Sequence, residues 1–248
     1  MANASTHQPA ADGDEPATVG STGRPGLQLG FCAAIVTSLI TVVFAAMSIT
    51  SPPRSGPFCL SSCLTYPYLD VARFVPGDYL WLIPGILLAP TFVVLMACIH
   101  SYAADRERTL SRIAISFAVA YAVIIMANYF LQFTVVVPSL QAGETQGLAL
   151  LTQYDPHGVF IALETLAYLL MSMAFFFAAP VFAGGRPERA VRALFVLSFV
   201  AAVLAFAVRW LVQNDLVAFE VTILLINWIV LVLSGPLLAV VFRRARVA

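Results

Sequence analysis

Residues 219–242 read FEVTILLINWIVLVLSGPLLAVVF, and Glu220 is the one charged residue among these 24. As a helix rising 1.5 Å per residue the run reaches about 36 Å, enough to cross the roughly 30 Å hydrocarbon core of a bilayer. Arg243, Arg244 and Arg246 follow it directly and mark its end. Five earlier runs have the same character: Leu27–Thr50, Tyr79–His100, Ile113–Val137, Pro156–Phe182 and Val191–Gln213. Each approaches the length of about 20 residues that a spanning helix needs. The sequence therefore predicts an all-α integral membrane protein, a six-transmembrane-helix bundle.

Composition agrees. The 248 residues are 60% hydrophobic and 10% charged, with mean hydropathy +0.90. A soluble domain carries roughly 45–50% apolar and about 25% charged residues. A core of this size cannot hide so much apolar surface, so the expected surroundings, and the first expected partner, are a lipid bilayer. Formal net charge is zero, and no charge imbalance points to a nucleic-acid partner.

Residues 1–26 are rich in Ala, Gly, Ser, Thr and Pro and lack apolar periodicity, the pattern of a disordered tail. Residues 27–248 form the six-helix domain. The tail lacks the basic start of a signal peptide, and the apolar run that follows is too long for one. Asn3-Ala4-Ser5 matches the glycosylation triplet, which a cytoplasmic tail leaves unused.

The arginines set the orientation, because short loops rich in Arg stay inside. Arg24, Arg106, Arg108, Arg112, Arg186, Arg189, Arg192, Arg243, Arg244 and Arg246 fall on one side of the six-span arrangement. Arg54, Arg73 and Arg209 fall on the other. Both termini are thus expected in the cytoplasm, with the protein in the plasma membrane. Tyr66, Tyr68, Tyr79, Trp81, Tyr154 and Trp210 suit an outer aromatic belt. The two long outer connections carry segments suited to short interfacial helices or turns, Pro67–Phe74 and Gly147–Leu151. Within the spans, Pro84 and Pro90 are expected to kink the second helix. Asp155 and Pro156 fit the N-cap and first position of the fourth. Ala118/Ala122 and Ala201/Ala205 allow close helix approach.

The residues exclude several chemistries. All thirteen basic residues are Arg, so neither retinal nor pyridoxal can attach through a lysine Schiff base. His7 lies in the tail, and His100 and His157 lie at opposite membrane faces, which rules out a shared haem or a three-histidine metal site. His157 and Glu164 are two turns apart, about 10 Å, too far to ligate one metal by themselves. No phosphate-binding glycine loop or nucleophile elbow is present. No cofactor and no metal are therefore expected. Cys59 and Cys63 share the first outer connection, where a disulfide is the expected state. Cys32 and Cys98 suit small buried apolar positions.

What remains is a set of polar residues inside apolar helices, where they are costly and normally face protein or water. His157, Glu164 and Tyr168 share a face of the fourth helix, and Tyr121, Asn128 and Gln132 share a face of the third. Arg209 and Gln213 are one turn apart on the fifth, and Glu220 and Asn227 two turns apart on the sixth. With the orientation above, all four stripes fall in the outer half of the bilayer. They predict a polar cavity around Glu164 formed by Arg209, His157, Tyr168, Asn128, Gln132, Gln213 and Asn227. Arg209 is the expected partner of Glu164, being of opposite charge at similar depth. In the competing reading the same groups are ion pairs and interhelical hydrogen bonds, with Arg209 and Glu220 snorkelling to the interface. A cavity implies a small transporter or membrane sensor for a small polar solute. A packed interior implies an accessory or scaffold subunit of another membrane protein. An intramembrane enzyme using Glu164 and His157 as acid and base lacks an evident nucleophile.

Overall fold

The computed structural model describes residues 23–50, 61 and 63–247. Most of the tail, Arg54 and Cys59 lie outside the described residues. Among the described residues the long elements are all helices: α1 (Gly23–Ser48), α2 (Leu82–Tyr102), α3 (Arg108–Leu131), α4 (Val159–Ala178), α5 (Arg186–Ala205) and α6 (Leu216–Val247). All six are long and apolar enough to cross a membrane. Their flanks bear this out physically. Leu39, Val123, Leu197, Leu204 and Ile229 turn outward and are each more than half exposed. Water would not tolerate so continuous an apolar surface, whereas hydrocarbon does.

Two helices change pitch near their ends. α3 passes through a π-helical turn, Gln132–Val136, into a short helix, Val137–Gln141. α5 passes into a longer π-helical segment, Phe206–Val212, none of whose residues is buried. Six consecutive crossings put Gly23 and Val247 on one face of the bundle, together with the connections that carry Arg106 and Arg186. This is called the arginine-rich face below. The connections 63–81, 142–158 and 213–215 lie on the opposite, loop face.

Several local expectations are refined. α1 opens at Gly23, ahead of Leu27. Pro90 sits inside α2, but Pro84 falls in its first turn, where no intrahelical N–H is lost. α4 starts at Val159 with Gly158 as N-cap, not at Pro156. Asp155 instead uses its Oδ1 to accept from His157 N at 3.0 Å, which closes a tight turn ahead of the helix. Within 67–74 the chain forms a 3-10 helix, Leu69–Phe74, with Arg73 paired to Asp70 at 3.0 Å. Residues 147–151 form turns. Cys63 is disulfide-bonded, while Cys32 and Cys98 are free thiols.

α1 and α6 pack tightly along their length. Gly235 permits this, since a Cβ there would lie 2.6 Å from Ser38 Cβ and 2.8 Å from Ala34 O. Ser38 Oγ also donates to Val232 O across the seam at 3.1 Å. α4 occupies the middle, packed on α3, α5 and α6.

Candidate functional site

α4 turns Phe160, Glu164, Tyr168, Ser172 and Phe175 into the bundle at near-regular four-residue spacing. α6 turns Glu220, Asn227 and Trp228 inward. Counted from the helix starts, Glu164 lies about 7.5 Å and Glu220 about 6 Å along their axes. The two carboxyl groups thus sit in second turns that enter the bundle from the same, loop face. Each residue is 1% exposed.

Both line one cavity of about 260 Å³. Its aromatic walls are Trp81 from the start of α2, Phe160 from α4, Trp228 from α6 and Tyr154 from the loop before α4. Ser48 and Ile49 at the end of α1, with Val221 and Leu225 of α6, complete it on the side that faces out of the bundle. Ile49 and Leu225 are 82% and 49% exposed, so this lip is apolar.

Buried carboxyl groups need hydrogen-bond donors. Tyr129 on α3 donates its hydroxyl to Glu164 Oε1. Packing fixes the Tyr129 ring. It stacks on Phe160 with centroids 5.7 Å apart, and Trp81 and Phe44 meet it edge-on. A Cβ at Gly85 would come within 2.4 Å of the ring, so α2 carries glycine where the tyrosine passes. The indole N–H of Trp81 is buried and has no acceptor among the described residues.

The loop above the cavity is latched to the start of α2. Tyr154 donates its hydroxyl to Asp78 Oδ2. Gln153 Nε2 donates to Asp78 O at 3.2 Å and to its Oδ2 at 3.1 Å. Burial, and then the bond to the Asp78 carboxylate, push the Tyr154 pKa well above the ordinary tyrosine value. The hydroxyl therefore stays a donor throughout the physiological range.

The residues expected around Glu164 divide into three groups. Asn128, Gln132 and Asn227 are buried but act as interhelical clasps. Asn128 Nδ2 donates to Phe160 O at 2.9 Å and Gln132 Nε2 to Leu151 O at 2.7 Å. Asn227 Nδ2 donates to Tyr168 O at 3.2 Å, and Asn227 Oδ1 accepts from Ser172 Oγ at 3.1 Å. Tyr168 is fully buried below the cavity, where its hydroxyl accepts from Trp228 Nε1 at 3.0 Å. Arg209, Gln213 and His157 lie elsewhere. The exposed Arg209 donates from Nη1 to Gln213 Oε1 at 3.1 Å, and neither lines the cavity. The expected pairing of Arg209 with Glu164 is corrected accordingly: α5 ends in a π-helical segment that leaves Arg209 on the flank. His157 is exposed and lines a separate apolar groove of about 240 Å³ with Thr165, Phe206, Trp210 and Phe219. His157 and Glu164 thus line different spaces, which separates the acid and base of the less favoured enzyme reading.

Glu220, Tyr129, Trp81 and Trp228 are the residues that sequence reasoning did not bring to this site. Glu220 carried a usable signal, a carboxylate at the start of an apolar run like Glu164. The aromatic residues carried none, because nothing distinguishes a cavity wall from core before the helices are packed. Among the described residues no group of three or more His, Cys, Asp and Glu is placed to hold a metal ion. No family model, curated protein or solved structure matches the chain.

Proposed function

We propose that this chain is a six-span protein of the plasma membrane with both termini cytoplasmic, and that it binds a small polar solute from outside as a transporter or sensor. The loop face is then the outer face, and the ten arginines assigned to the opposite side meet the cytoplasmic leaflet. One observation carries the reading: Glu164 and Glu220, from different helices, line a single cavity in the loop-face half of the bundle. Ionisable groups at such depth are costly to insert and mark solute pathways more often than packing. At about 260 Å³ the cavity is just below the usual range for ligand sites, roughly 300–1,000 Å³, which suits a small solute.

The test is thermal unfolding of the detergent-purified protein against a panel of small cationic, neutral and anionic solutes. A solute present at 100 times its Kd should raise Tm by about 5–10 °C. The gain should vanish in the double variant Glu164→Gln, Glu220→Gln, whose helical content is checked by circular dichroism. The reading is overturned if no solute shifts Tm, or if the shift is the same in the double variant. An accessory subunit is the second reading. It draws on the apolar groove between α4 and the unburied π-helical end of α5.

A further inference from the structure

The cavity's two kinds of lining favour the same ligand charge. Carboxyl groups on α4 and α6 attract a cation through their oxygens. The aromatic side chains of Trp81, Tyr154, Phe160 and Trp228 line the same space, and a cation set over a ring face gains from its quadrupole, most strongly where water is excluded. An anion meets repulsion from both, and a neutral polar solute gains at most a hydrogen bond to a carboxyl oxygen, without ion pairing. The apolar lip at Ile49 and Leu225 adds a place for hydrocarbon beside the charged end. We infer that the cavity between α1, α2, α4 and α6 takes an organic ammonium ion with a short apolar body, its charged end toward Glu164 and Glu220. This rests on the solute-binding reading above and names the class of solute.

The competing space is the groove on the other flank of α4. Its lining is apolar apart from His157 and Thr165 and contains no carboxylate, so it has no comparable preference for a cation. Trp210 lines that groove, whereas Trp81 and Trp228 line the cavity. Tryptophan fluorescence can therefore report the two separately.

The experiment titrates the full-length protein, carrying Trp210→Phe, with three probes of nearly equal size and shape: benzylammonium, benzyl alcohol and benzoate. Saturable change in the remaining fluorescence is the readout. Benzylammonium should bind at least about tenfold more tightly than the alcohol, and benzoate more weakly still. The comparison is made on one folded protein and does not depend on a carboxylate variant. Glu220→Gln, where it folds, should reduce benzylammonium affinity by about tenfold and leave the alcohol unchanged. If the alcohol or benzoate binds as tightly as benzylammonium, the cation assignment is wrong while solute binding in the cavity stands. If benzylammonium changes fluorescence only when Trp210 is present, the ligand occupies the groove and the inference fails. If none of the three binds, both the inference and the solute-binding reading fall.

Discussion

The loop-face half of α4 separates two openings of nearly equal size, about 260 Å³ on one side and about 240 Å³ on the other. They share a helix and a depth, and they differ in chemistry. The inner side presents Phe160 and Glu164 to a space closed by Trp81, Trp228 and Glu220. The outer side presents Ile161 and Thr165 to a groove bounded by Phe206, Trp210 and Phe219. In the first, Glu164 is fixed: Tyr129 is held by Phe160 and Gly85 and in turn holds it. In the second, one wall is a π-helical segment with no buried residue. Volume alone does not distinguish a binding site from a gap that lipid fills. Positioned polar groups do.

The largest expected contrast comes from adding bulk on each side. Gly85→Leu drives a side chain into the Tyr129 ring and should destabilise by about 1–3 kcal/mol or more. In a protein of this size that lowers Tm by roughly 2–4 °C per kcal/mol. Ala162→Leu, which lines the groove and is exposed, should change Tm little, because space is available there. Equal losses from the two substitutions would break the comparison.

A smaller contrast separates Glu164's observed donor from its expected one. Tyr129→Phe removes a hydroxyl that donates to a buried carboxyl and should cost about 1–3 kcal/mol. Arg209→Gln loses only an exposed contact with Gln213 and should stay within about 0.5 kcal/mol. Chemical denaturation of both variants in the same detergent measures the difference. A larger loss from Arg209→Gln would restore the pairing that the sequence suggested.

That error shows what could be read and what could not. The six long apolar helices were legible because bilayer thickness sets the length of such runs, and 219–242 satisfies it with one charge. The common depth of Glu164 and Glu220 was legible too, since both occur early in runs entered from the same side. The direction of Arg209 was not, because the π-helical segment Phe206–Val212 breaks the 3.6-residue period used to assign its face. The start of α4 was also misplaced. Asp155 caps the N–H of His157 two residues on, and Gly158, whose Cβ would lie 2.9 Å from Leu150 O, begins the helix instead. Asn128, Gln132 and Asn227 were expected around the cavity, and none of them lines it. Their use as clasps depends on carbonyl groups of neighbouring segments, Phe160, Leu151 and Tyr168, whose proximity no single run encodes.

Accessibility of matched positions in the two openings tests the central claim most directly. Val221 lines the cavity and Thr165 the groove, both half-buried and about 7–9 Å along their helices. Each is replaced by Cys in a background with Cys32→Ala and Cys98→Ala. Intact cells are then treated with membrane-impermeant thiol reagents of positive and negative charge. The account predicts labelling at Val221→Cys from outside, faster with the cationic reagent, and little labelling at Thr165→Cys. Labelling at Thr165→Cys with none at Val221→Cys, or preference for the anionic reagent at Val221→Cys, would contradict it.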